Sequence, residues 1–267
     1  MPEESIVDTS RPNAGRIYDY LLGGSHNFEV DRRAAEQLVQ LLPFVPKAAR
    51  LQRWCLQDLA LELTEKRGFN VIIDFASGLP TNDHMHVVAP KGTTIIYSDR
   101  DPLVVEYAHE ILASTPNVYY FQADARRPDE LLGRSEVQNI LNGRRDVALI
   151  CWGVSFWLAD EDIAYAARAL GDWAGPQSCW AFNAMGAVEA PDDPQVHQVE
   201  QIYARMSTPV HFRPLQRFQE LLRPWHADER GYISLLDWHG LDRNLMSAED
   251  QRVWSESSGM YGAYLIK

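Results

Sequence analysis

The sequence predicts an α/β fold, in which helices cover both faces of a mostly parallel sheet and a helical cap precedes it. From residue 68 onward, short apolar runs rich in β-branched and aromatic residues alternate with helical patterns. Such runs are typical of parallel strands buried on both faces. Residues 1–67 carry only a polar tail and helical patterns. We therefore expect a tail and helical cap over residues 1–67 and an α/β domain over residues 68–267.

The cap is predicted to contain two helices separated by a proline-containing segment. Residues 31–42 and residues 47–66 each repeat apolar side chains three and four positions apart. That spacing places the apolar side chains on one face of each helix. Residues 1–13 are polar and include two prolines, which predicts a loose tail.

The second part is predicted to alternate strands and helices along the chain. Asp101 and Pro102 give one helix a clear start, as N-cap and first-turn residue. Strand–helix alternation implies right-handed crossovers between parallel strands. The predicted strands are 70–75, 93–98, 117–122, 146–152, 178–185, 231–238 and 262–267, and the predicted helices are about 81–89, 102–114, 128–132, 160–173, 193–206 and 214–223.

Composition restricts the class of function. The net charge of -12 argues against a dedicated nucleic-acid binder, which needs a basic surface to displace counterions. No segment approaches the roughly 20 apolar residues of a membrane span, and the N-terminus has no apolar signal segment. The three cysteines are far apart and predict no disulfide framework. We expect a cytoplasmic protein that acts on a small molecule, without nucleic-acid or membrane partners, and of undetermined oligomeric state.

Acidic residues stand at the ends of successive predicted strands. Asp74 and Gly78 follow the first strand, Asp99 ends the second, and Asp124 with Ala125 follows the third. In a parallel sheet these ends share one rim, where ligands bind. A carboxylate at Asp99 suits two ribose hydroxyls, and Asp124 with the Ala125 N–H suits an adenine. Any one of these residues could instead only cap the following helix, but the repeated spacing favours a nucleoside site.

The turn after the first strand distinguishes between nucleoside ligands. A dinucleotide turn carries two or three glycines so that backbone amides can surround a pyrophosphate. Residues 76–81 hold one glycine, Gly78, and Pro80 removes one amide donor. S-Adenosylmethionine has no phosphate and fits such a turn better than NAD. An NAD-dependent oxidoreductase remains the alternative enzyme class.

Several segments resemble the signatures of a known family. Residues 16–28, RIYDYLLGGSHNF, are followed by Asp31-Arg32, and residues 78–81 read GLPT. Residues 97–102, YSDRDP, and residues 123–128, ADARRP, continue the likeness. Together they resemble a family of actinobacterial-type S-adenosylmethionine-dependent methyltransferases, with a close match over residues 11–128.

The resemblance implies a Rossmann-like class I methyltransferase fold whose last strand, residues 262–267, runs antiparallel. It also implies that the YDYLLGG segment folds over the cofactor site. The chain departs from the family at Ala76, where glycine is common, and in the segments after the fourth and fifth strands. Because those segments would face the substrate, the acceptor is expected to differ from that of relatives, and a non-catalytic S-adenosylmethionine-binding protein stays open.

The residues and the resemblance together predict a site. The predicted cofactor residues are Arg16, Tyr18, Gly23, Asp74, Ala76, Ser77, Gly78, Thr81, Asp99, Arg100, Asp124, Ala125 and Cys151. The predicted substrate residues are Trp152, Phe156, Trp157 and Asn183, with His211 and His239 as candidate bases. No metal site is predicted, because His84 and His86 would face apart on a helix. The expected reaction is in-line methyl transfer to a small molecule such as a secondary metabolite.

Overall fold

The computed structural model describes residues 10–81, 83–187, 194–205, 209–253 and 260–267. Within them, eight strands form one sheet. They are β1 (Val71–Phe75), β2 (Thr94–Asp99), β3 (Val118–Gln122), β4 (Ala148–Cys151), β5 (Cys179–Met185), β6 (His226–Ala227), β7 (Ile233–Ser234) and β8 (Met260–Ile266). The strand order is β3-β2-β1-β4-β5-β8-β6, and β7 also pairs with β8.

The sheet has the predicted mixture of strand directions. Strands β1 to β5 run parallel in every pairing. Strand β8 enters between β5 and β6 and runs antiparallel to both, with Asn183 of β5 opposite Gly262. The predicted Rossmann-like sheet with an antiparallel last strand is therefore confirmed, and the carboxyl ends of β1 to β4 lie on one rim.

Helices surround this sheet. They are α1 (Ala14–Leu21), α2 (Glu29–Leu41), α3 (Val45–Leu61), α4 (Met85–Val88), α5 (Pro102–Leu112), α6 (Pro128–Leu132), α7 (Ser135–Leu141), α8 (Asp160–Trp173), α9 (Pro194–Arg205), α10 (Leu215–Leu221), α11 (Leu235–Trp238) and α12 (Ala248–Val253). Helix α3 continues as a π-helical turn over Glu62–Lys66, and a 3₁₀ turn spans Ser155–Trp157. None of the described helices is long and apolar enough to cross a membrane.

Alternating side chains of the strands divide the core into two layers. Ile73 of β1 faces a cluster that includes residues of α6, α8 and α10, whereas its neighbour Ile72 faces α3, α5 and α11. This alternation follows from the two-residue period of a strand, and burial on both faces explains the continuous apolar runs. A third, smaller cluster joins α1, α2 and α3 around Ala35. The N-terminal helices therefore pack on one another and, through α3, on the sheet.

The structure differs from the expected elements in several places. The predicted strand over residues 231–238 is wrong beyond Ser234, because the Ser234 side chain accepts the Asp237 N–H and begins α11. Of the expected helix over residues 81–89, only α4 is helical. The cap holds a third helix, α1, and the helices α7 and α12 and the edge strand β6 were also not expected. The first nine residues of the expected tail lie outside the described residues.

Candidate functional site

A cavity of about 150 Å³ opens at the carboxyl ends of β1 to β4. Its walls come from the loops after these strands, from α1 and α3, and from the 3₁₀ turn after β4. They are formed by Asn13, Ala14, Gly15, Tyr18, Gln52, Arg53, Leu56, Ala76, Ser77, Gly78, Asp99, Arg100, Asp101, Asp124, Ala125, Arg126, Trp152, Gly153, Val154, Trp157 and Leu158. This is the rim at which open α/β sheets bind ligands, and we refer to it as the polar cavity.

The turn after β1 is held in a left-handed backbone conformation. Ala76 has a φ of 57° and Gly78 a φ of 64°. The Gly78 N–H donates to the Asp99 carboxylate at 3.1 Å, and the Tyr120 hydroxyl donates to the Gly78 carbonyl at 2.7 Å. Glycine adopts this φ without strain, whereas the Cβ of alanine makes the same conformation energetically unfavourable. These contacts fix the turn before any ligand binds.

A buried histidine supports the same turn from below. The His84 side chain is fully buried, its Nδ1 accepts the Met85 N–H at 2.9 Å, and its Nε2 lies 3.2 Å from the Ser77 carbonyl oxygen. The Tyr97 hydroxyl lies 2.9 Å from His84 Nδ1. Burial lowers the pKa of His84 well below its ordinary value, so the ring is neutral. His84 therefore acts as a support for the backbone at Ser77.

Asp99 lies at the end of β2 with its carboxylate at the polar cavity. Its two oxygens accept the backbone N–H groups of Gly78 at 3.1 Å and Asp101 at 3.0 Å. Burial raises the pKa of Asp99 above its ordinary value, and these two hydrogen bonds oppose that rise. Each oxygen keeps a further lone pair that can accept a ligand hydroxyl.

Asp124 lies at the next strand end and is paired within its own loop. Its oxygens accept the backbone N–H of Arg126 at 2.9 Å and the Arg126 side-chain Nε at 2.9 and 3.0 Å. Burial acts to raise the pKa of Asp124, but the hydrogen bonds and charge of Arg126 hold it below its ordinary value. Asp124 therefore stays ionised, with Ala125 beside it in the cavity wall.

Arg53 of α3 is a site residue that sequence reasoning missed. Its side chain is only 3% exposed, and among the described residues neither Nε nor Nη1 has a hydrogen-bond partner. The guanidinium lies 5.5 Å from the centre of the Tyr18 ring, and an Asp83 carboxylate oxygen lies 3.7 Å from Nε on a side chain that is 47% exposed. A buried guanidinium with unpartnered donors is costly unless a ligand pairs with it. Arg53 thus offers a positive charge to an anionic group in the polar cavity.

Helix α1 covers the polar cavity, and buried polar contacts hold it in place. Its N-cap residue, Asn13, donates from Nδ2 to Asp101 at 2.7 Å, which connects the helix to the loop after β2. Arg16 pairs with Asp31 of α2 at 2.8 Å, and both side chains are buried. The helix ends at Leu21, and Gly23, just beyond its C-cap residue Leu22, has a φ of 83°. These contacts give the RIYDYLLGG segment a structural role and place Tyr18 at the cavity.

A second cavity, of about 140 Å³, adjoins the first. It lies between the N-terminal helices and the region around β5, α9 and the start of β8. Its walls are Ala14, Ile17, Tyr18, Leu21, Leu38, Leu42, Phe44, Val45, Ala48, Ala49, Gln52, Phe156, Trp157, Met185, Gly186, Val199, Tyr203, Phe212 and Met260. Ala14, Tyr18, Gln52 and Trp157 line both cavities. We call the second one the apolar cavity.

The structure brings together most of the predicted cofactor residues. Tyr18, Ala76, Ser77, Gly78, Asp99, Arg100, Asp124 and Ala125 all line the polar cavity. Arg16, Gly23, Asp74, Thr81 and Cys151 do not line it. Asp74 is buried beneath the turn, Thr81 bonds to Asp83 at 2.7 Å, and Cys151 lies under the sheet rim, where burial raises its pKa to about 12.

The predicted substrate residues divide between the cavities. Trp152 lines the polar cavity, Phe156 lines the apolar cavity, and Trp157 lines both. Asn183 lines neither, because its side chain accepts the Gly153 N–H at 3.1 Å and donates to the Tyr261 carbonyl at 2.9 Å. It joins β5 to the loop after β4 and to β8.

The two candidate bases also lie outside the cavity walls. The His211 N–H donates to the Phe156 carbonyl, and its side chain lines neither cavity. His239 stacks on Trp54 at 5.2 Å, and its Nδ1 lies 2.5 Å from Asp58. The structure therefore gives neither histidine a position at a ligand in these cavities.

Similarity to known proteins agrees with this arrangement. A structure of a proposed methyltransferase from Thermobifida fusca YX is 25% identical, with a TM-score of 0.84 over 97% of this chain and 96% of that one. A DUF574 family protein from Streptomyces avermitilis is 27% identical, with a TM-score of 0.82 over 97% and 99%. A cyclopropane synthase from Mycobacterium tuberculosis, at 11% identity, shares only the fold, with a TM-score of 0.52 over 79% and 82%.

No curated protein matches the sequence. The sequence model of the S-adenosyl methyltransferase family, in contrast, matches residues 1–263. That match excludes the alternative of a nicotinamide-dependent oxidoreductase and gives the cofactor as S-adenosylmethionine. The chain belongs to the S-adenosyl methyltransferase family and is an S-adenosylmethionine-dependent methyltransferase.

Proposed function

We propose that the polar cavity binds S-adenosylmethionine and that the apolar cavity holds a small-molecule methyl acceptor. The observation that carries this proposal is the meeting of one polar and one apolar cavity at Ala14, Tyr18, Gln52 and Trp157. A transferase needs two ligands with their reacting groups in contact, and adjoining cavities with shared walls supply that arrangement.

The donor groups of the polar cavity suit an adenosyl amino acid. Asp99 would accept the ribose hydroxyls, while Asp124 and the backbone at Ala125 would face the adenine. The turn at residues 76–78 would border the amino-acid end. Arg53, with two unpartnered buried donors, would hold the carboxylate of that end. S-Adenosylmethionine has no pyrophosphate, so the turn does not need the additional glycines of a dinucleotide-binding loop.

The protein's own contribution is placement and exclusion of water. S-Adenosylmethionine, when bound, supplies an electrophilic methyl group on a sulfonium sulfur. Helix α1 closes both cavities from one side, and Trp157, in the turn after β4, lines both of them. Such enclosure orients a nucleophile and keeps competing water away. Aromatic faces at Tyr18 and Trp157 would also stabilise positive charge at the junction.

Calorimetric titration with S-adenosylhomocysteine and with NAD tests the cofactor assignment. We expect the sulfur ligand to bind in the micromolar range or tighter and NAD not to bind. Asp99→Ala should lower the affinity for S-adenosylhomocysteine by about tenfold to a hundredfold, because the contacts of two ribose hydroxyls with a charged acceptor are lost.

Glu161→Ala, which changes an exposed carboxylate on α8 outside the cavity walls, provides the matched control and should bind as the wild type does. Equal affinity of the Asp99→Ala protein and this control would refute the ribose assignment. Turnover with candidate small molecules then tests the proposed class of methyl acceptor.

A further inference from the structure

The walls of the apolar cavity restrict the charge of its occupant. Among the described residues that line it, the titratable side chains are Tyr18 and Tyr203. Burial raises the pKa of both phenols, so both are neutral near pH 7. The other described wall residues are apolar apart from Gln52. A charged occupant would lose its hydration here without gaining a counter-ion from these residues, which is strongly unfavourable.

Aromatic rings dominate one side of this cavity. Phe156 lies at the centre, with ring centroids 4.2 Å from Trp157, 5.6 Å from Tyr203 and 6.1 Å from Phe212. Rings at such distances leave faces and edges against which another flat ring can pack. The cavity volume of about 140 Å³ is close to that of an apolar cavity known to bind benzene, and the cavity shares wall residues with the polar cavity. The space suits a compact aromatic molecule.

Gln52 is the polar side chain at the junction. It is 3% exposed and lines both cavities. Its Nε2 contacts the sulfur atoms of Met185 at 3.3 Å and Met260 at 3.7 Å. Thioether sulfur is a weak acceptor, so the carboxamide retains much of its hydrogen-bonding capacity. The backbone carbonyl of Gln52 accepts from Trp152 at 3.2 Å, which holds this turn of α3 in place.

We propose, resting on the function proposed above, that the apolar cavity selects an uncharged aromatic acceptor with one hydrogen-bonding group, and that Gln52 orients this group toward the polar cavity. Gln52 is thus a positioning residue. The aromatic side chains contribute packing. The Gln52 carboxamide, with the Trp157 Nε1–H as a second donor in the shared wall, distinguishes an acceptor that carries a polar group from a bare hydrocarbon ring.

Three naphthalene probes test this selectivity on the full chain saturated with S-adenosylhomocysteine. The probes are 2-naphthol, naphthalene and 2-naphthoate, which share a ring system and differ in polarity and charge. By calorimetry we expect 2-naphthol to bind at least tenfold more tightly than 2-naphthoate. Equal or tighter binding of the carboxylate would overturn the assignment of an uncharged occupant.

Gln52→Met keeps the side-chain volume and removes the carboxamide. We expect the affinity ratio of 2-naphthol to naphthalene to fall about fivefold to tenfold, the range for one neutral hydrogen bond. Because a ratio compares two ligands on the same protein, partial unfolding of the variant does not change it. An unchanged ratio would show that Gln52 does not contact the polar group.

Ala48→Leu is the control for location, since Ala48 lines the apolar cavity only. The larger side chain should lower the affinity of every naphthalene probe that binds the wild type by more than about tenfold. It should leave the affinity for S-adenosylhomocysteine unchanged. Undiminished 2-naphthol binding would place the probe elsewhere and overturn the proposal. Failure of S-adenosylhomocysteine to bind the wild type would instead refute the proposed function itself, and the inference with it.

Discussion

Replacement of Arg53 by methionine should have opposite effects on ligand affinity and on the stability of the free protein. The guanidinium is 3% exposed, two of its nitrogens have no partner in the part of the chain that the structure describes, and the Asp83 carboxylate 3.7 Å away is half exposed. The ligand-free protein therefore bears the cost of a buried, poorly paired charge. Methionine has a similar length and no charge, so it removes that cost.

The magnitudes follow from the burial. Exchanging a buried ion for an apolar side chain of similar volume stabilises proteins by about 1–4 kcal/mol. At about 2 kcal/mol, the unfolding midpoint of a chain of this size should rise by about 6 °C. The lost charge-assisted contacts to a ligand carboxylate amount to about 3 kcal/mol, which is roughly a hundredfold in affinity.

The assay pairs thermal unfolding of the free protein with calorimetry of two ligands. S-Adenosylhomocysteine carries the carboxylate, whereas 5′-methylthioadenosine lacks the whole amino-acid group. We expect Arg53→Met to bind S-adenosylhomocysteine roughly a hundredfold more weakly. Its affinity for 5′-methylthioadenosine should stay within about threefold of the wild-type value. Arg168→Met, at an exposed arginine of α8 outside both cavity walls, should leave both affinities within about threefold. Equal losses for both ligands, or none, would refute the assignment of Arg53 to the carboxylate.

Two further perturbations test the surroundings of the site. Burial raises the pKa of Asp74 from 3.8 to about 7, so the folded protein binds a proton that the unfolded chain has lost in that interval. The contribution of Asp74 to the free energy of unfolding should therefore be most favourable below about pH 4. It should fall by up to about 4 kcal/mol as the pH rises to 7. Asp74→Asn should abolish this decline in urea titrations at several pH values, and an identical decline in the variant would contradict it. Gly24→Ala would place a Cβ 2.1 Å from a carboxylate oxygen of Asp19, so we expect faster hydrogen exchange in α1 and weaker S-adenosylhomocysteine binding. Gly68→Ala strains a left-handed backbone position (φ 75°) outside α1, so it controls for a general loss of stability and should not speed exchange in α1 selectively.

The sequence predicted the sheet well because β1, β2 and β4 bury both faces, which leaves continuous apolar runs such as Val71–Phe75. The same reasoning failed after Ser234. Leu235 and Leu236 are buried as an apolar run would be, but one side-chain cap begins a helix there. A run of so few residues has no period long enough to separate helix from strand.

The candidate site was predictable where local sequence carries the signal. Residues at strand ends, such as Asp99 and Asp124, could be placed because parallel strands share a rim. Gln52 and Arg53 could not, because within a helical pattern they read as its polar, solvent-facing side. Gln52 contacts Met185 of β5 and Met260 of β8, and the Arg53 guanidinium lies over the Tyr18 ring of α1, so their burial depends on parts of the chain that are distant in sequence.

Helix α1 contributes Ala14 and Tyr18 to the walls of both cavities. A ligand that orders this helix from one cavity would also order part of the wall of the other cavity. By thermodynamic linkage, any factor by which the cofactor raised acceptor affinity would equal the factor by which the acceptor raised cofactor affinity. The Asn13–Asp101 and Arg16–Asp31 contacts hold α1 from outside the apolar cavity, so a substitution there would be expected to alter both affinities together.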